Sequence, residues 1–487
     1  MRRRIFVFLF TALLLADIGF SFLQHYYTPF DGDMAGGIVP AQDVKPILDS
    51  PLGIKIFTDN TTYPNPNKYF CHWSFYQYFN NVPLFLQKFY SPINSAYLSC
   101  AIAKTLIQFI IILLLSLLIS GNRLKYDFLL AAVLITPLFQ INGYRSYMGI
   151  IDPSTTYTFF YALPTILILL YFLPLFLKYY YGLDLNRLKY FKYLWIPLAL
   201  ISSLSGPLNP GISLVVCFLL FINVIYRNLK KSNDGNVYSR LKLAIIKIPK
   251  DYFFYLMPLC AFSIYSLFLV SFNSVDLSNK MPLSVLYSRL PEGLFNLFTQ
   301  KLGFPILFVI IITNTLIINY KLRGDDGKKI LNIFKWIGFF AIMYILLLPL
   351  GGYRDYRPLV LRYDTIIPIT LSLMFIFGKT TMFILKNISR KQKYWYIPLV
   401  ILVLLIFTNA DEPKFDENLC ERNAINQIVN SKDSIVKIDN NCTVLSWTII
   451  TNPKDSELNI KLLKKWNIIS ETQLYYQTLS HTKESLQ

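Results

Sequence analysis

Long apolar runs separated by short polar segments dominate the chain, and they read as membrane-crossing helices. A span needs roughly 20 apolar residues, or fewer where the helix is distorted. Runs of this kind cover 5–23, 96–120, 128–141, 157–177, 193–204, 212–226, 252–272, 304–320, 330–350, 365–385 and 396–407. The expected fold class is an all-α polytopic membrane bundle of about 11 transmembrane helices, filling 1–409. The fifth and sixth runs are short and flank Gly206-Pro207-Leu208-Asn209-Pro210-Gly211, so they form either two spans or one reentrant pair. The first run follows Met1-Arg2-Arg3-Arg4 and is closed by no small-x-small cleavage pattern, so it reads as a retained span rather than a signal peptide.

Two polar stretches break the pattern. The first, 24–95, is a long outer loop whose segment 82–90 is amphipathic, as in a helix lying in the membrane interface. The second, 410–487, holds no further span; it has a helical pattern over 420–429 and β-like runs at 434–438 and 444–451. It is expected to form a small α/β extracytoplasmic C-terminal cap.

Charge supplies the orientation. With the N-terminus inside, the cytoplasmic segments carry 24 basic residues and the short outer loops 7. That asymmetry is what the positive-inside rule reads. It makes the chain a multi-pass integral membrane protein with a cytoplasmic N-terminus and an outer C-terminus. A composition of 54% hydrophobic and 15% charged residues, with mean hydropathy +0.43, excludes an ordinary soluble domain. The net charge of +19 does not point to nucleic acid, because the basic residues sit where a topology signal belongs. Membrane lipids are the expected surroundings.

Candidate chemistry gathers on the outer side. Just beyond the first span, Phe30-Asp31-Gly32-Asp33 offers two carboxylates one residue apart on a glycine-containing backbone. Such a pair can hold a divalent metal, take up a proton, or simply form a polar turn. Asp152, between the third and fourth spans, either completes an acidic site or caps the helix after Pro153-Ser154. The loop before the tenth span carries Arg354, Arg357, Arg362 and Tyr363. Guanidinium groups bind phosphate in a bidentate fork; the alternative partners are Asp355, Asp364 or lipid head groups. Arg145 and His72 are further candidate contacts for substrate. Asp17 and Lys104, both within spans, are expected to pair, and Lys335 and Lys379 to snorkel. With three histidines in the chain, a histidine metal site is not expected. Cys420 and Cys442 both fall in the outer segment and are expected to form a disulfide, while the other four cysteines read as packing residues. The sequence holds neither a nucleotide-type phosphate loop nor a serine-hydrolase elbow.

This arrangement resembles the GT-C superfamily of multispanning, polyprenyl-phosphate-sugar-dependent glycosyltransferases. The resemblance rests on Asp31 and Asp33 beyond the first span, the long first outer loop, Asp152, the Arg-Tyr loop from Arg354 to Tyr363, and the outer cap. It implies transfer of a sugar from a polyprenyl-phosphate donor to a glycan, lipid or protein acceptor, in a bacterial inner membrane. It further implies Asp33 or Asp31 as base, Arg362 or Arg357 as the phosphate ligand, and a divalent cofactor, Mg or Mn, in some members. The sequence departs from the family in spacing its acids as Asp-Gly-Asp, which leaves the choice between Asp31 and Asp33 open. Three rival readings are an O-antigen polymerase or ligase, a polysaccharide or lipid transporter (flippase), and a non-catalytic assembly protein. The polymerase reading would place the large outer loop late rather than first, and the transporter reading calls for paired broken helices near midplane.

Overall fold

The computed structural model describes residues 2–121, 126–183, 191–231, 236–275, 281–351 and 357–478. Its helices are α1 (Arg2–Tyr26), α2 (Met34–Ile38), α3 (Lys45–Asp49), α4 (Ile54–Thr58), α5 (Tyr69–Leu86), α6 (Pro92–Ser120), α7 (Tyr126–Ile135), α8 (Arg145–Met148), α9 (Thr155–Tyr181, with a π turn at Thr158–Ala162), α10 (Phe191–Ser203), α11 (Asn209–Lys231), α12 (Val237–Ile246), α13 (Lys250–Val270), α14 (Leu283–Ser288), α15 (Leu290–Thr299), α16 (Gly303–Lys321), α17 (Asp325–Leu347), α18 (Ile367–Asn387), α19 (Arg390–Ala410), α20 (Leu419–Asn430) and α21 (Glu457–Lys465). Two strands, β1 (Ile435–Asp439) and β2 (Leu474–Thr478), complete the description. Among the described residues, nine helices are long and apolar enough to cross a membrane: α1, α6, α9, α11, α13, α16, α17, α18 and α19. Two shorter apolar helices, Tyr126–Leu138 and Tyr193–Ser203, accompany them. At 23 residues α11 is long enough to cross alone, and Asn209 at its start donates to the Ser202 and Pro164 carbonyls, so the Gly206–Gly211 break joins two packed helices.

Burial ranks the helices. In α18, 89% of the apolar window is buried, against 11% in α1, so α18 is the inner post and α1 an outer one. The sequence of α18 fits that place. Gly378 lets α6 approach so closely that a Cβ there would lie 2.6 Å from the Ile119 Cδ1 atom. Asn314 of α16 donates to the Thr380 and Thr381 hydroxyls and accepts from Tyr396 of α19, so the polar groups of three helices satisfy one another without water. Lys379 does not snorkel as expected. It is buried beneath Tyr180 and Tyr181 and donates to the Ile119 carbonyl and the Tyr181 hydroxyl, closing the last turn of α6. Lys335 does stay exposed, over the Phe339 ring.

The expected pairing of Asp17 with Lys104 is also not what forms. The Lys104 ammonium donates to the Pro153 carbonyl and lies in the field of Asp152 and Asp31, whereas the charge acting on Asp17 is that of Asp411. Helices α1 and α6 pack along each other, but the lysine side chain points to the Pro153 carbonyl and the nearby carboxylates of Asp152 and Asp31 instead.

The segment after α19 is a small α/β unit. Helix α20 and β1 fall where the sequence pattern places a helix and a strand, but the run 444–451 is not a strand. The partner of β1 is β2, pairing in parallel from Ile435 opposite Leu474 to Asp439 opposite Thr478, with α21 in the crossover. Residues 444–451 meet the backbone of β2 at Ile450, whose carbonyl accepts from the Gln477 amide, and form no ladder with it. They run as irregular chain, bonded through the Leu445 and Ile450 amides to the Glu421 and Gln477 side chains. Cys420 and Cys442 are joined by a disulfide that ties α20 to this irregular stretch. The apolar side of the unit is continuous with the bundle core: Trp466 and Tyr475 join Met34, Ile38, Phe75 and Phe79 in one cluster, and the Trp466 indole donates to the Phe79 carbonyl at 2.9 Å.

Candidate functional site

Five pieces of chain meet where the cap covers the bundle: the turn after α1, the start of α6, the start of α9, the loop 357–366, and residues 444–447. The turn is drawn in by Asp31. It is buried, and its carboxylate accepts from the Thr156 hydroxyl at 2.7 Å, the Thr156 amide at 3.0 Å and the Asp33 amide at 3.1 Å. Thr156 lies in the first turn of α9, where unpaired amides and the helix dipole favour an anion. Asp31 is therefore spent on holding the loop after α1 against α9.

Asp33 is placed differently. It stands just before α2 without capping it, and part of its surface is open to solvent. Tyr157 and Trp447 each hydrogen-bond its carboxylate, and it feels the charges of Asp31 and Arg357. The surrounding side chains strip enough water from the carboxyl to hold it above the ordinary aspartate range, against the opposing pull of those donors and of Arg357. An acid that is reachable and raised in pKa is suited to taking up a proton.

The arginine loop closes the other side. Asp364, buried, receives Arg357 Nη1 at 3.2 Å and has Arg362 Nε at 2.6 Å. The Arg357 guanidinium also stands 4.5 Å over the Tyr157 ring, and Arg362 donates to the Tyr161 hydroxyl one helical turn further on. Of the partners considered for these arginines, Asp364 engages both and aims their guanidinium groups at the face of α9, while Asp355 lies outside the described residues. Arg354 lies outside the described residues. Asp152 occupies the next position along. Its carboxylate accepts from the Ser154 amide at 2.7 Å, while Ser154 itself caps α9 through the Tyr157 amide. Burial pushes Asp152 up to about 6, with Arg145 and Lys104 pulling the other way. Tyr363, raised to about 12, shares the field of Asp152. Asp31, Asp33, Asp152, Arg145, Arg357, Arg362 and Tyr363 thus form one electrostatic neighbourhood.

His72 has a separate setting. It is buried edge-on to Phe160, and desolvation, with Lys68 adding, pushes it down to about 3, so it stays neutral. As an acid or base near neutrality it has no proton to exchange. The divalent ion expected of the acid pair finds a poor fit, because Asp31 directs its oxygens at Thr156 and the Asp33 amide. No group of three or more His, Cys, Asp or Glu side chains suited to a metal occurs among the described residues.

Several members escape a reading of the sequence alone. Trp447 stacks on Tyr157 with centroids 5.7 Å apart, and its backbone presses so closely on the turn that a Cβ on Gly32 would lie 2.5 Å from the Trp447 nitrogen. Glu421, buried, accepts from the Phe30 amide at 2.8 Å, the Tyr97 hydroxyl at 2.7 Å and the Leu445 amide at 2.9 Å. The contacts of Glu421 with Phe30 and Tyr97 join residues more than 300 positions apart, and only the presence of tryptophan in a polar segment hints at such docking. The chain matches no family model, no curated protein and no solved structure.

Proposed function

We propose that the protein is a multispanning membrane glycosyltransferase that moves a sugar from a polyprenyl-phosphate donor to an acceptor at the outer face of the membrane. The reading carries the finer topology with it: about 11 spans once the two shorter apolar helices are added to the nine, a cytoplasmic N-terminus, and the cap outside. A bacterial inner membrane is the setting that this chemistry and the GT-C resemblance suggest. The disulfide in the cap agrees with an oxidising compartment.

One observation carries the proposal. A solvent-reachable carboxylate with a raised pKa, Asp33, lies within the field of Arg357, whose guanidinium rests on the tyrosine that also bonds Asp33. Transfer from a lipid phosphate needs these two groups together. The acceptor oxygen forms a bond to the anomeric carbon, the bond from that carbon to the phosphate oxygen breaks, and its electron pair leaves with the phosphate. The acceptor proton passes to Asp33. Arg357 and Arg362, held in place by Asp364, offset the charge that grows on the leaving phosphate. Asp31 is a positioning residue for Asp33, and Asp152 tunes the charge around Arg145 and Tyr363. No step is routed through a metal, and transfer is expected to survive chelation.

The test is sugar transfer by the purified full chain in liposomes, from a polyprenyl-phosphate donor carrying a labelled sugar. Asp33→Asn is expected to lower turnover by roughly 10²-fold, with an unchanged size-exclusion profile. Arg357→Lys should also slow transfer, because it keeps the charge and loses the fork. Wild-type rates in the Asp33 variant would remove it as the base, and loss of transfer on chelation would return the ion to the mechanism.

A further inference from the structure

Within this proposed function, on which the inference rests, we infer that the acceptor is itself a saccharide and that one of its rings seats on the indole of Trp447. The residue is 52% exposed although its backbone packs on Gly32 and its ring on Tyr157, which is unusual for the largest apolar side chain. Its polar handle is already used, since the side chain hydrogen-bonds Asp33. One interaction of its ring is also used, in the stack on Tyr157 at 5.7 Å and 22°. What remains is apolar, rigid, ring-sized surface beside the carboxylate.

That surface selects for a particular chemistry. A pyranose has a face of C–H groups that lies flat on an aromatic ring, and hydroxyls around its rim. A ring seated on Trp447 brings rim hydroxyls within reach of the group the indole bonds, Asp33, which is where an acceptor hydroxyl has to be. A peptide chain has no equally flat C–H face. A lipid tail would find an acidic neighbour on one side and Arg357 on the other, both costly for it to desolvate. The indole is also firmly set. Its backbone abuts Gly32, the Leu445 amide two residues earlier is bonded to Glu421, and the disulfide anchors Cys442 to α20.

The experiment uses the full chain in detergent and a panel of methyl glycosides (gluco, manno, galacto and N-acetylglucosamine forms), read by saturation-transfer NMR, alongside the transfer assay. At least one glycoside is expected to show transfer to its ring C–H protons. Trp447→Ala should abolish that signal and raise the acceptor KM by roughly tenfold. Trp447→Phe should keep most of the KM while moving the acidic limb of the pH–rate profile upward. It keeps a ring but loses the hydrogen bond that lowers Asp33 among its neighbours Asp31, Arg357 and Tyr157. Asp33→Asn should leave the glycoside signal intact. An intact Cys420–Cys442 bridge and a normal size-exclusion profile certify each variant. Silence from the whole panel, or a Trp447→Ala signal equal to wild type, overturns the saccharide platform. If silence comes with active transfer to a peptide or lipid, the glycosyltransferase reading still stands. A glycoside signal with no transfer from any polyprenyl-phosphate donor removes the transferase reading instead.

Discussion

At the scale of single residues, Glu421 is the group whose chemistry is most exposed to test. Burial pushes its carboxyl up to about 7, with its three hydrogen-bond donors and Arg422 resisting. A raised acid binds its proton more tightly in the folded state, so between the ordinary glutamate value and about 7 the folded protein holds a proton that the unfolded chain has lost. Its contribution is therefore full in mild acid and declines as pH rises through that window. The change is on the order of 3 kcal/mol. Thermal unfolding of the solubilised protein should give a higher Tm at pH 5 than at pH 8, and Glu421→Gln should flatten that difference. A slope unchanged in the glutamine variant would assign it to other carboxyls, with Asp152 first among them.

The elements show how the sequence conceals the site while declaring the scaffold. Apolar runs announce the long helices, and α20 and β1 follow their patterns, because local periodicity is all that such elements need. The acids beyond α1 and the Arg-Tyr loop are also legible, as polar residues placed where a bundle leaves the membrane. What is not legible is which carboxylate serves structure. Asp31 and Asp33 are equivalent as text, and only the docking of the turn on Thr156 separates them. The second strand is hidden for the same reason, since β2 becomes a strand by lying beside β1 and not by its own alternation. Gly32 stands between the acids where the 444–447 stretch presses on the turn and leaves no room for a side chain. Gly32→Ala should push that stretch off the turn, lowering Tm by an amount equivalent to about 1–3 kcal/mol and slowing transfer. A variant that melts and transfers like wild type would mean that the contact is loose.

At the scale of the whole molecule, charge and cysteine chemistry make the orientation testable. Asn236, before α12, and Glu471, in the cap, are both exposed, whereas Cys71, Cys100 and Cys217 are buried and react poorly. In intact cells, a membrane-impermeant thiol reagent should label a cysteine placed at 471 and spare one placed at 236 until the membrane is opened. The reverse pattern would invert the protein and strand its acids on the cytoplasmic side.

The bond from Glu421 to the Phe30 amide spans 391 residues of chain. A ribosome working at roughly 5–20 residues per second makes one half of this site about 20–80 seconds before the other. During that interval the first loop must wait with Asp33 in place but without its indole partner and its glutamate clasp. Assembly is thus ordered by translation itself. A nascent chain arrested anywhere before the cap would carry its long helices yet lack the contacts that Glu421 and Trp447 make with the first loop, so that the site is completed late, as a property of the finished polypeptide.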